Sequence, residues 1–231
     1  MAEQTPDYRK QAAAAAVKHI RPHQVIGLGA GSTMAHLAGL LAEDVALADT
    51  LVLTSSSFKT QQMLLEKGFN VKPPAFLARL DSYFDGCDQF DALLNAMKSG
   101  GGVHTTEKIL AAMADRFILL GSADKQVEKL DGTYPLVVEV LPPALPCVQA
   151  KLQALYPEST ITLRITDKKD GALISDYGNY LLDVRFAQLP GLQSLNETVG
   201  MLPGVVEHSL FYRLATGAIV AGPDGVRESG L

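Results

Sequence analysis

Three short segments of the sequence place acids and a lysine among glycines. Asp85 and Asp88 stand three residues apart in Asp-Gly-Cys-Asp, Lys98 precedes a glycine-rich loop, and Glu107 begins the helical stretch after it. Carboxylates can move protons, and a lysine can stabilise the oxyanion that develops next to a carbonyl. These residue types therefore indicate proton transfer beside a carbonyl group, with Glu107 as the candidate base. The structural alternatives are a solvated Asp-Gly turn and an acid that simply suits a first helical turn.

A glycine-rich turn, residues 27–33, follows a predicted strand and opens a predicted helix. Glycines let the backbone approach a ligand, and amides at a helix N-terminus favour an anion. Ser32 and Thr33 can cap the helix and also donate to a phosphate. The favoured interpretation is a cradle for a monophosphate or another small anion, and a tight turn with a plain serine cap is the alternative.

Nucleotide-binding motifs fit this turn poorly. A dinucleotide fingerprint needs glycine or alanine at position 32 and an acid at the end of the second strand, which here ends in serines. A Walker loop needs a Gly-Lys-Ser/Thr sequence that is absent. A nicotinamide-dependent dehydrogenase is therefore a weak alternative, which a flat titration with NAD would exclude.

The composition indicates an ordered globular chain. The 231 residues are 47% hydrophobic and carry a net charge of −5, with a pI near 5.5. Nucleic-acid and membrane partners are not expected, because there is no basic footprint and no apolar run of about 18 residues. The N-terminal residues lack a signal-peptide layout, no Cys or His spacing resembles a zinc site, and Cys87 and Cys147 are expected as free thiols in a reducing cytoplasm.

Strands and helices alternate in the first part of the chain, which predicts a parallel sheet with right-handed crossovers. The predicted strands cover residues 25–29, 51–53, 82–84 and 117–120. The predicted helices cover residues 5–20, 32–41, 58–67 and 105–115.

The pattern changes after Gly132 and predicts a small α+β unit with mixed or antiparallel pairing. Its predicted strands cover residues 137–140, 160–165, 173–174 and 180–184, and its helices cover residues 146–156 and 192–200. Residues 218–222 form one more apolar strand that could return to the first sheet. We therefore expect a large domain of residues 1–131 and 206–231, interrupted by a smaller domain of residues 132–205.

Taken in order, the motifs resemble those of type A ribose-5-phosphate isomerases over nearly the whole chain. They are Gly-Leu-Gly-Ala-Gly-Ser-Thr (27–33), Ser-Ser-Ser (55–57), Asp-Gly-Cys-Asp (85–88), Lys-Ser-Gly-Gly-Gly (98–102), Thr-x-Glu-Lys (105–108), Lys-Gln-Val (125–127), Pro-Leu-Val-Val-Glu-Val (135–140), Ser-Asp-Tyr-Gly-Asn (175–179) and Leu-Pro-Gly-Val-Val (202–206). The resemblance implies an α/β fold, with a Rossmann-like parallel-sheet domain and a smaller α+β, ferredoxin-like domain. It also implies a cytoplasmic homo-oligomer, a dimer or tetramer, that needs no metal or other cofactor.

The resemblance implies interconversion of ribose 5-phosphate and ribulose 5-phosphate through an enediolate, in the non-oxidative pentose phosphate pathway. Glu107 would move the proton between C2 and C1. Asp85, with Asp88 beside it, would shuttle the hydroxyl proton and help open the furanose ring. Lys98 and the amides of Gly100 and Gly101 would support the oxyanion. The implied substrate-binding residues are Ala30, Gly31, Ser32, Thr33, Gly86, Cys87, Ser99, Gly100, Gly101 and Lys125.

Some positions that flank these residues depart from the family's usual pattern. They are Ala30 for threonine, Phe58-Lys59 for a small or acidic pair, Gln89 for an acid, Ser99 for the first loop glycine, and Ser122 with Asp124, where the usual Asp and Ser are exchanged. The proton-transfer residues are all kept. Two alternatives therefore stay open: an isomerase for a related aldose phosphate, and a non-catalytic protein that senses a sugar phosphate.

Overall fold

The structure is a computed structural model that describes residues 7–166 and 170–231. Its α-helices in this part of the chain are α1 (Tyr8–Val17), α2 (Ser32–Glu43), α3 (Val45–Ala48), α4 (Phe58–Glu66), α5 (His104–Met113), α6 (Leu145–Leu155) and α7 (Leu192–Gly200). Its strands are β1 (Val25–Leu28), β2 (Val52–Ser55), β3 (Asn70–Val71), β4 (Ser82–Asp85), β5 (Gln89–Phe90), β6 (Ala96–Met97), β7 (Phe117–Ser122), β8 (Leu136–Val140), β9 (Thr160–Leu163), β10 (Tyr180–Arg185), β11 (Val205–His208), β12 (Leu210–Phe211), β13 (Gly217–Gly222) and β14 (Gly225–Ser229). None of the helices in these residues combines the length and the apolar character needed to cross a membrane.

The first compact unit contains the described residues up to Cys87, together with Glu107–Gln126 and Arg213–Leu231. Its sheet has seven strands in the order β14-β13-β7-β4-β1-β2-β3. All neighbours in it are parallel except the β13–β14 hairpin, so the predicted parallel sheet is confirmed. The predicted return of the C-terminal strand is also confirmed, because β13 pairs with β7.

Local sequence explains where two helices of this unit begin. The Asp7 side chain accepts hydrogen bonds from the backbone N–H groups of Arg9 and Lys10 and so caps α1. The predicted start of α1 at residue 5 lies outside the described residues, and the helix ends at Val17 rather than at residue 20. For α2, the serine cap that stood as the alternative interpretation does not form: Gly31 is the N-cap, with φ +98°, and Ser32 is already inside the helix.

The second compact unit contains Asp88–Thr106 and Val127–Tyr212. Its main sheet is antiparallel in the order β11-β8-β10-β9, with α6 between β8 and β9 and α7 between β10 and β11. This is the β-α-β-β-α-β arrangement of a ferredoxin-like domain, as the resemblance implied. A second, three-stranded sheet has the order β12-β6-β5.

Each unit has its own hydrophobic core. In the first unit, α1 and α2 pack alanines and leucines against β1, β2 and β7. In the second unit, valines and leucines of β8 and β10 pack against α6 and α7.

The structure differs from the predicted pattern at one strand and at the domain limits. Residues 173–174 form only an isolated bridge, between Ile174 and Tyr180, because the chain turns back at once through residues 175–179. Residues 88–106, 127–131 and 206–212 pack with the second unit, whereas the predicted limits assigned them to the first. The reason is strand pairing: β5 and β6 join β12, and β11 joins β8.

Candidate active site

The carboxylate of Asp85 lies at the end of β4, against the turn that follows β1. The two strands are parallel neighbours, so their carboxyl ends meet at the same edge of the sheet. Asp85 is 1% exposed, and its Oδ1 accepts hydrogen bonds from the amides of Gly86 (2.7 Å) and Ala30 (3.2 Å). Its Oδ2 accepts a hydrogen bond of 2.5 Å from the hydroxyl of Tyr83. Donors on both oxygens fix the orientation of this carboxylate.

Gly29 is required because the Asp85 carboxylate occupies the space of a side chain. A Cβ at position 29 would lie 1.8 Å from Oδ1 of Asp85 and 1.9 Å from its Cγ. The second glycine of the turn therefore permits a close approach of the candidate acid, a role that the anion-cradle interpretation did not include. Gly31, with φ +98°, supplies the left-handed conformation before α2.

The start of α2 lies beside a cation from α1. The guanidinium of Arg9 donates to the hydroxyl of Ser32 over 3.3 Å, and both side chains are exposed. Thr33, the next helical residue, is buried. The turn, the N-terminus of a twelve-residue helix and Arg9 together form a site that favours an anion. No sequence motif marks Arg9 for this position, because residues 23 positions apart meet only when α1 packs on α2.

Tyr83 lies near both Asp85 and Glu107. Its side chain is fully buried, stacks on Phe117 at 5.2 Å between ring centroids, and has its hydroxyl 3.2 Å from the Ser56 hydroxyl. Burial raises the pKa of Tyr83 well above its ordinary value, and the charges of Asp85 and Glu107 raise it further. Glu107 itself is buried in the first turn of α5, as the sequence predicted.

The remaining predicted residues of the first unit follow the carboxyl ends of neighbouring strands. Gly86 and Cys87 come directly after β4 and are half-buried, and Cys87 is a free thiol, as expected. Lys125 ends a short 3-10 turn, Ala123–Lys125, after β7, which is the parallel neighbour of β4. These two strands therefore direct Asp85, Gly86 and Lys125 to one edge of the sheet.

In the second unit, Asp88 binds the start of the glycine loop. Its Oδ2 accepts hydrogen bonds from the backbone amides of Ser99 (2.6 Å) and Gly100 (3.3 Å). The amide of Gly100, which the resemblance implied as an oxyanion donor, thus points to Asp88 in this structure. Gly101 is exposed and has φ +70°, so the loop needs glycine there for its conformation.

Lys98 is buried at the end of β6. Its Nζ lies 5.6 Å from the centroid of the Phe211 ring, within range of a cation–π interaction. Its backbone amide donates to the carbonyl of Ser209, which holds the strand end against the segment before β12. This placement keeps an ammonium group in surroundings of low dielectric, where its charge acts strongly on a nearby anion.

At two positions that depart from the family pattern, the side chain makes a hydrogen bond within the second unit. The Ser99 hydroxyl donates to the carbonyl of Pro135 over 2.6 Å, and the Ser99 carbonyl accepts from Arg164, which is itself paired with Asp183. The side-chain amide of Gln89 donates to Asp131 over 2.9 Å, so this position bonds to a carboxylate. Phe58, Lys59 and Asp124 are exposed, and Ser122 ends β7.

Comparison with known proteins gives a consistent result. The family model for ribose 5-phosphate isomerase A (phosphoriboisomerase A) matches residues 52–225. Ribose-5-phosphate isomerase A of Agrobacterium fabrum is 36% identical over 94% of each chain, and that of Synechococcus sp. is 38% identical over 94% of this chain and 92% of its own.

Solved structures agree with the sequence matches. A D-ribose-5-phosphate isomerase in complex with phospho-erythronic acid superposes with a TM-score of 0.88 at 30% identity, covering 95% of this chain and 96% of its own. The ribose 5-phosphate isomerase A of Methanocaldococcus jannaschii superposes with a TM-score of 0.87, also at 30% identity and with the same coverage. The chain therefore belongs to the ribose 5-phosphate isomerase A family.

Proposed function

We propose that this enzyme interconverts D-ribose 5-phosphate and D-ribulose 5-phosphate through an enediolate, within the non-oxidative pentose phosphate pathway. Family membership supports the reaction. The observation in the structure that supports it best is the pair of buried carboxylates, Asp85 and Glu107, that lie near one hydroxyl, next to an anion-binding turn. Such a pair can move a carbon-bound proton and a hydroxyl proton on a substrate held by its phosphate.

Glu107 is the proposed base. It removes the proton from C2 of the open aldose, which leaves an enediolate, and returns a proton to C1, which gives the ketose. Asp85 moves the hydroxyl proton that must pass between the two oxygens, and it helps open the furanose ring. Asp88 assists by holding the glycine loop through the amides of Ser99 and Gly100.

The proposed binding residues fall into two groups, those that stabilise the enediolate oxyanion and those that bind the rest of the substrate. Lys98 and the amide of Gly101 stabilise the oxyanion of the enediolate, whereas the amide of Gly100 donates to Asp88. The substrate is further bound by Ala30, Gly31, Ser32, Thr33, Gly86, Cys87, Ser99 and Lys125. Arg9 adds a guanidinium at the start of α2, where a phosphate would also meet the helix N-terminus.

The decisive test follows formation of ribulose 5-phosphate from ribose 5-phosphate with wild-type protein and with Glu107→Gln. Loss of a general base predicts a fall in kcat of ~10²-fold or more. Glu66→Gln, on the exposed face of α4, is the matched control and keeps wild-type turnover. Unchanged turnover in Glu107→Gln would show that another group is the base.

Two further measurements separate the alternatives. A panel of aldose phosphates in the same assay identifies the preferred substrate, because a related isomerase would turn over a different sugar faster. Exchange of the C2 proton in deuterated water separates an enzyme from a sensor, since a sensor would bind the sugar phosphate without exchange. Phospho-erythronic acid, which a solved relative binds, is expected to inhibit competitively.

We also propose a cytoplasmic homo-oligomer, a dimer or a tetramer. The support is the family resemblance, together with large apolar side chains that stay exposed on the single chain, such as Phe58, Phe76 and Met201. Sedimentation equilibrium of the purified protein measures the assembled mass, and a monomer at micromolar concentration would contradict the proposal.

A further inference from the structure

Tyr83 donates a side-chain hydrogen bond to Asp85. The hydroxyl of Tyr83 reaches Oδ2 over 2.5 Å, while backbone amides of Ala30 and Gly86 occupy Oδ1. Because this hydroxyl has one proton, which goes to Asp85, the Ser56 hydroxyl 3.2 Å away acts as the donor to the Tyr83 oxygen. The result is a short chain of hydrogen bonds, Ser56 to Tyr83 to Asp85.

The ring of Tyr83 packs in the core, but core packing does not account for its hydroxyl group. The ring stacks on Phe117, and a phenylalanine could fill the same space. A fully buried hydroxyl costs free energy unless it is hydrogen-bonded, so the tyrosine gains nothing for the core over phenylalanine. The hydrogen bond to Asp85 is the contact that tyrosine makes at this position and phenylalanine could not.

The hydroxyl of Tyr83 also keeps its proton at the near-neutral pH at which an isomerase works. Burial raises the pKa of Tyr83 far above neutral pH, and the negative charges of Asp85 and Glu107 act in the same direction. Tyr83 therefore remains a neutral donor and does not itself exchange protons with substrate at neutral pH. A permanent donor suits a group that orients another residue.

We propose that Tyr83 is a positioning residue for the isomerisation, holding the carboxylate of Asp85 in one orientation through Oδ2 while the amides of Ala30 and Gly86 hold Oδ1. This inference rests on the proposed function, because it gives Asp85 the hydroxyl-proton step. With Oδ2 fixed by Tyr83, the plane of the carboxylate cannot rotate, and the path of the proton to the substrate hydroxyl stays constant from turnover to turnover.

The test compares Tyr83→Phe with wild type in the ribose 5-phosphate assay. We expect kcat to fall about 10- to 100-fold, the usual cost of a misplaced catalytic group, with KM changed less than about threefold. General loosening of the site would instead raise KM together with the fall in kcat. Tyr156→Phe, which removes a half-buried hydroxyl in the second unit, is the matched control and keeps wild-type values.

Three outcomes would overturn the inference. One is a folded Tyr83→Phe protein with wild-type kcat. Another is a lower kcat together with a raised KM, which indicates general loosening of the site. If Tyr83→Phe fails to fold, Ser56→Ala decides instead: a fall in kcat of about two- to fivefold with an unchanged KM supports the inference, and a wild-type kcat overturns it. Failure of the proposed function would look different, because wild-type protein would then give no ribulose 5-phosphate.

Discussion

The carboxylate of Asp85 lies so close to Gly29 that no other residue fits there. A Cβ on Gly29 would come within 2 Å of two atoms of the carboxylate, and the same carboxylate is tied to the amide of the next residue, Ala30. The glycine turn and the candidate acid therefore form one structural unit. The turn's sequence is constrained by Asp85 as well as by any phosphate that binds it.

Gly29→Ala is expected to displace Asp85 and abolish most activity. The added methyl group must push the carboxylate out of its hydrogen bonds, so kcat should fall by ~10²-fold or more. Gly39→Ala is the control: it lies in α2 with open space around its Cα, and alanine should stabilise the helix by about 1 kcal/mol. Steady-state kinetics and thermal unfolding of both variants check this. An active Gly29→Ala enzyme would contradict the described packing.

Arg9→Ala is expected to weaken substrate binding without slowing the chemistry. The guanidinium lies at the start of α2 and touches no group assigned to proton transfer, so KM for ribose 5-phosphate should rise about 3- to 10-fold while kcat stays within a factor of two. Because the site is exposed, the difference should shrink as salt is added. Lys10→Ala, the next residue of α1, is the control. Equal KM values for Arg9→Ala and wild type at low salt would remove Arg9 from the anion site.

Gln89→Glu is expected to destabilise the protein near neutral pH. The glutamine amide donates to Asp131, whose pKa is lowered by hydrogen bonds from Thr133 first and from Gln89 second. A lowered pKa in the folded protein contributes stability above the ordinary pKa of an aspartate, and this is lost as pH falls through the folded value. Glutamate would replace the donor with a like charge and lower the unfolding midpoint at pH 7 by roughly 2–4 °C.

The pH dependence supplies the check on that prediction. Near pH 3 the introduced glutamate, whose ordinary pKa is about 4.3, is largely protonated, so Gln89→Glu and wild type should differ less in melting temperature than at pH 7. Gln62→Glu, an exposed change on α4, controls for the added charge. A difference that grows toward acid would mean that repulsion from Asp131 is not its cause.

Glu139→Gln is expected to lower the stability of the second unit. This carboxylate is 1% exposed and accepts hydrogen bonds from the hydroxyl of Thr105, the hydroxyl of Ser175 (2.6 Å) and the side-chain amide of Asn179 (2.8 Å). Glutamine would turn one acceptor into a donor that faces these donors, at a cost of about 2–4 kcal/mol. Urea unfolding measures the loss, with the exposed Glu158→Gln as control. Equal stability would mean that these hydrogen bonds do not stabilise the native protein.

Local sequence was enough to predict the parts of this molecule that depend on neighbours along the chain. Continuous apolar runs predicted β1, β4, β7 and β8, and their alternation with helices predicted the parallel sheet. Glu107 was predicted in the first turn of its helix, because that position follows from the helix start alone. The ordered motifs then led to the family, which the comparisons confirmed.

Tertiary structure decided what depends on residues far apart in the sequence. The strands β5, β6 and β12 have two residues each, too short for any periodic pattern, and they exist only because they pair with one another. No spacing rule links Arg9 to Ser32 or Ser56 to Tyr83, which meet when separate elements pack together. The sequence by itself determined which residues could move protons and which turn could bind an anion. Only packing decided that Gly29 makes room for Asp85 and that a buried tyrosine donates to it, because distance and burial arise from the folded chain as a whole.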